Sequence, residues 1–218
     1  MRRLREKRVV ATAMVVAAGA LALASAATAG HWKLELTKAG QAAARAAVLH
    51  QSDLGSNWKG SGAKPNLALP RCATSRKGQA PPIAVGAAKI EWSDGNHVTF
   101  TSQAVVLASA KMVRLDWKRT VVAPRILACT RKAVTRSLPK GEKLVSLGWQ
   151  RFPHITKYTR EVRAILSVSR AAAVVDFLAI GSGRDELTLT FVEPGLGDGL
   201  TSVEAQLARK LVARAASS

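Results

Sequence analysis

Apolar and polar positions along the chain fall into short blocks that read as alternating helix and strand. Residues 37–51 are Ala-rich, with Arg45 among them, and read as a helix that Gly55 stops. Residues 56–82 carry Gly60, Gly62, Pro65, Pro70, Gly78, Pro81 and Pro82, and read as loop. Residues 87–92 and 97–107 are strand candidates, joined by the hairpin signal Ser93-Asp94-Gly95-Asn96. Residues 109–138 read as helix broken at Pro124. In its second part Ile126, Leu127, Thr130, Ala133, Val134 and Leu138 share one arc, with Arg125, Lys132 and Arg136 opposite them. After the turn Pro139-Lys140-Gly141 come four strand candidates, at 142–150, 156–168, 171–180 and 184–192. Gly181-Ser182-Gly183 links the last two, and residues 201–215 form a terminal helix. Consecutive strands joined by hairpins imply the α+β class. The expected fold is a central antiparallel sheet of about six strands, in the order α-β-β-α-β-β-β-β-α.

The start of the chain has another purpose. MRRLREKR is basic, and residues 9–29 are uncharged and close to the ~20 residues that span a bilayer. A basic n-region, an apolar h-region and small residues at Ala27-Thr28-Ala29 make a secretory signal, with Ala24-Ser25-Ala26 as a second cleavage point. The rival is an uncleaved anchor; either way the remainder is placed outside the cytoplasm. The expected organisation is a leader over 1–29 and one extracellular domain over 30–218. No Cys follows the apolar run, so no lipid anchor is expected. Cys72 and Cys129 are the only cysteines. In an oxidising compartment an even count reads as one disulfide, worth about 4 kcal/mol for a loop this long and tethering the Pro-rich loop to the body.

Several marks stand in a fixed order: a helix ending Ala47-Val48-Leu49-His50-Gln51-Ser52-Asp53-Leu54-Gly55 with Trp58 after it, and the loop with Cys72. They continue through Ala128-Cys129, Val174-Val175-Asp176-Phe177, Gly183-Arg184, the strand 187–191, and a last helix with Glu204 and Arg214. In these marks the chain resembles the PknH-like extracellular sensor domain family of actinobacteria. The resemblance implies an α+β domain whose cleft takes a ligand, and it transfers no catalytic residues. Family members usually carry two disulfides, whereas this chain can form one.

Charge changes the picture more than motifs do. The chain has 33 Lys and Arg against 14 Asp and Glu, a net charge of +19. Lys111, Arg114, Lys118, Arg125, Lys132, Arg136 and Lys140 cluster with few acids between them, and are the candidate polyanion-binding residues. The partner expected outside the cell is anionic wall polymer or lipid headgroups. Nucleic acid is disfavoured, since no recognition motif is present. Catalytic signatures are missing: there is no G-x-S-x-G elbow, and His31, His50, His97 and His154 are scattered. Asp185-Glu186 reads as a solvated turn, and Gly195, Gly197 and Gly199 as a strand-to-helix connection. Glu204 falls on the apolar arc of its helix, where Thr201-Ser202-Val203-Glu204 makes a capping box. No catalytic residue, cofactor or metal site is expected. The expected function is an exported, non-enzymatic, sensor-like ligand-binding domain of the cell envelope. The alternative is a structural or interaction protein that adheres to anionic polymer without a pocket.

Overall fold

The computed structural model describes residues 32–67, 80–95, 98–168, 171–195 and 201–218. The leader over 1–29, Cys72, His31, His97, Gly197 and Gly199 lie outside the described residues.

The first helix, α1 (Lys38–Ala47), begins where the Thr37 hydroxyl accepts the Gly40 amide at 2.9 Å. Gly40, Ala43, Ala44 and Ala47 make its buried stripe. Small residues there let the helix backbone lie on the sheet: a Cβ at Gly86 would strike the Gly40 carbonyl, and one at Gly40 the Val85 carbonyl. The helix stops earlier than its sequence pattern predicts. Val48 turns extended, and it and Leu49 are buried, with the Leu49 amide donating to Ser102 Oγ at 3.0 Å. A 3-10 turn at Gln51–Asp53 follows, closed by the His50 amide on Asp53 Oδ2 at 2.8 Å.

Eight strands form one sheet: β1 (Lys33–Leu34), β2 (Lys59–Gly62), β3 (Ile83–Ser93), β4 (Thr99–Leu107), β5 (Lys143–Gln150), β6 (Tyr158–Val168), β7 (Ala171–Ser182) and β8 (Asp185–Pro194). Their order is β1-β3-β4-β8-β7-β6-β5, with β2 also on β3. The six long strands are mutually antiparallel, as expected. β1 runs parallel to β3, so the sheet is mixed. β2 corrects the loop expected over 56–82: it pairs with the outer end of β3, and Gly60 lies against the Trp92 ring, where a side chain would collide. Helices α2 (Ala110–Thr120) and α3 (Ile126–Ser137) flank Pro124, and α4 (Thr201–Ala216) ends the chain.

Strand alternation divides the core between two faces. One face carries Phe100, Leu178, Ile180, Leu187, Leu189 and Phe191, covered by α4 and the end of α1. The other carries Val105 and Leu107 under α2, and Ala164, Val175 and Val192 under α3.

The cysteine expectation involves one described residue. Cys129 sits on α3 and is not a free thiol. Its expected partner Cys72 lies outside the described residues.

Candidate functional site

Helices α2 and α3 place the sequence-predicted cations on the outside of one sheet face. Lys111, Arg114 and Lys118 follow the i, i+3, i+7 spacing of one helical stripe, opposite the buried Val113, Asp116 and Trp117. Arg125 caps the start of α3, and Lys132 and Arg136 follow about two and three turns further on. All of these, and Lys140, are exposed. None has an ion-pair partner among the described residues. Arg125 adopts φ 66°, the single non-glycine residue with positive φ among those described. An L-residue rarely holds that conformation.

The cations edge two shallow depressions. One, of about 360 Å³, is lined by Lys111, Arg114, Lys157, Tyr158 and the Gly181–Gly183 hairpin, with Lys157 Nζ 5.0 Å from the Tyr158 ring centre. The other, of about 400 Å³, is lined by Arg125, Leu127, Arg160 and Trp149. Trp149 is 42% exposed, unusual for so large a ring. Lys132, Arg136 and Lys140 line neither depression.

Buried acids lie beneath. Under α2, Asp116 is buried, accepts the Thr120 hydroxyl at 3.2 Å and lies 3.6 Å from Arg119 Nη2. It meets Glu186 of β8. Burial pushes Asp116 up to about 6 against the pull of Arg119. Burial, then the Asp116 charge, raises Glu186 well above the usual carboxylate range. Asp185 is buried too and pushed up to about 6 by that burial. The solvated turn expected at 185–186 is therefore corrected: both acids belong to β8, one turned to each face of the sheet.

The opposite face holds a second acidic group. Glu161 of β6, Asp176 of β7 and Glu204 of α4 bring carboxylate oxygens within 4.8 Å of one another. Arg163 forks onto Asp176, with Nε and Nη2 at 2.7 and 2.8 Å from its two oxygens. Glu161 and Glu204 are each 1% exposed, and as carboxylates neither finds a donor for either oxygen. Burial pushes Glu161 up to about 7, with the Asp176 charge adding and Arg163 opposing. Burial pushes Glu204 up to about 9, helped by Asp176 and Glu161. Glu193 of β8 stands near, raised by burial and then by Asp176. The capping box expected at Thr201 is thereby overturned: the Glu204 side chain points into the sheet, not back to the helix start.

No family model and no curated protein matches the chain. Among solved structures it is similar to an uncharacterised protein from Mycobacterium smegmatis, known from X-ray work. The two share 15% identity with a TM-score of 0.40, over 76% of this chain and 92% of that one.

The two described histidines form no common group. His50 Nε2 bonds the Arg45 carbonyl at 3.0 Å, and His154 is exposed in the β5–β6 link. The cations were legible in the sequence because exposure follows from helical spacing. The acidic trio was not, because its members come from three elements. A usable signal was Glu204 on an apolar arc together with Asp176 inside an apolar strand run.

Proposed function

We propose that this chain is an exported, non-enzymatic binding module of the cell envelope that takes an anionic partner on the face built by α2 and α3. The sensor-like character is the one its resemblance to the PknH-like domains implies. One observation carries the reading: Lys111, Arg114 and Lys157 converge on a single depression with no acidic side chain in its lining. Charge arranged so strengthens and speeds association with polyanions. The adhesive reading, without a pocket, draws on Lys132, Arg136 and Lys140, which stand outside both depressions.

The test is binding to anionic wall polymer and to anionic vesicles over a salt series, with two charge-removal pairs. Lys111→Ser with Arg114→Ser empties the depression edge; Lys132→Ser with Arg136→Ser strips the outer stripe. Under the module reading the first pair weakens binding far more than the second and lowers the log–log salt slope by about one per lost phosphate contact. Equal losses favour adhesion through the whole basic face. Absent or salt-insensitive binding sinks both readings.

A further inference from the structure

We propose that Glu161, Asp176 and Glu204 form a divalent-cation site of the calcium class, beneath α4 on the sheet face opposite the basic helices. Three elements supply the ligands, and their carboxylate oxygens lie within 4.8 Å of one another. An all-oxygen donor set suits a hard cation. Glu204 gives the independent pointer. It descends from the helix onto the sheet acids, is 1% exposed, and as a carboxylate has no donor on either oxygen; its hydrogen-bonding neighbour is Glu161, which it reaches only as the protonated acid. Glu161 is equally buried, and once both are ionised it is equally without a donor.

Among the described residues Arg163 is the cation beside them, and it makes no hydrogen bond to Glu161 or Glu204. Arg163 is committed to Asp176 through both ends of its fork. Ionised, three carboxylates against one guanidinium carry two excess negative charges in a buried space; protons cancel them when no ion is bound, and a divalent ion would displace those protons and neutralise the pair. Each Asp176 oxygen keeps a second lone pair beyond its Arg163 bond, so it can still reach the ion. Buried acids without such a counter-charge are strongly disfavoured. The site is separate from the anion-binding face, so its failure would leave that reading untouched.

The experiment uses the purified chain, stripped with chelator, titrated with CaCl₂ and with MnCl₂ by calorimetry and thermal unfolding. Saturable binding with one ion per chain is expected, in the range of roughly 0.1 to 1 mM typical of extracellular modules. The melting temperature rises with ion concentration. Protons are released on binding, read from heats in two buffers of different ionisation enthalpy. Glu204→Gln and Glu161→Gln each weaken binding about tenfold or more, and the exposed control Glu91→Gln leaves it unchanged. Should Glu204→Gln fail to fold, Glu161→Asp decides, since it keeps the charge but shortens the arm and must weaken binding. No heat and no melting shift with either ion overturns the proposal and leaves protons as the only positive charge the pair takes up. Wild-type affinity in both Gln variants overturns it as well, by placing the ion elsewhere.

Discussion

Glu186→Gln should make the protein more stable than the wild type above the ordinary carboxylate range, by a margin that grows with pH. The Glu186 carboxyl meets Asp116 under α2, the helix that carries Lys111, Arg114 and Lys118. Burial, then the Asp116 charge, raises Glu186 well above its usual 4.5. The folded state therefore holds a proton that the unfolded chain releases above 4.5. Stability falls as pH rises wherever the folded state binds more protons. For one group the slope is about 1.4 kcal/mol per pH unit. Asp116, raised from 3.8 to about 6, adds its own loss of about 3 kcal/mol in the same direction. The substitution leaves that second loss in place, because a Gln amide can still donate to Asp116. It removes only the Glu186 contribution. The variant's advantage should thus widen by about 1.4 kcal/mol per pH unit above the ordinary Glu value, and level off where Glu186 ionises in the fold. Urea unfolding followed by circular dichroism, in chelator and at several pH values, measures it. Parallel stability profiles for the two proteins would refute the reasoning, because Glu186 would then ionise in the fold as it does in the unfolded chain.

Two further perturbations test the packing that holds these faces. Phe100→Ala removes a ring 1% exposed, 4.9 Å from Trp58 and 5.0 Å from Phe191 by ring centres, and should cost about 3–5 kcal/mol in urea unfolding; a loss under about 1 kcal/mol would show that the core closes over the gap. Gly86→Ala drives a methyl group into the Gly40 carbonyl, backbone against backbone, and should lower stability by at least the ~1–3 kcal/mol of an overpacked core; an unchanged melting temperature would mean that α1 does not sit so close to β3.

How much was legible differs from element to element. The break at Pro124 and the strands of the second half fall within a few residues of their sequence positions, because hydrophobic period and turn residues are local properties. The end of α1 does not follow its Ala-rich pattern. Val48 and Leu49 gain more by entering the core beside Phe100 than by continuing the helix. β2 looked like loop because Lys59-Gly60-Ser61-Gly62 has no apolar period; its partner strand and the Trp92 ring make it a strand.

By itself the sequence determined the α+β class, the antiparallel succession of the long strands and the basic stripes of α2 and α3. Each of these follows from spacing along one segment. Only the tertiary structure decided that β8 inserts between β4 and β7, which joins the two halves into one sheet. That insertion and the docking of α4 determine which acids meet. They bring Glu186 to Asp116 on one face, and set Glu204 over Glu161 and Asp176 on the other. The physical reason is range. A helical stripe is settled by neighbours a turn away, whereas a buried charge cluster depends on pairings between distant segments. The same Glu204 that locally suits a helix cap is drawn inward once the sheet lies beneath it.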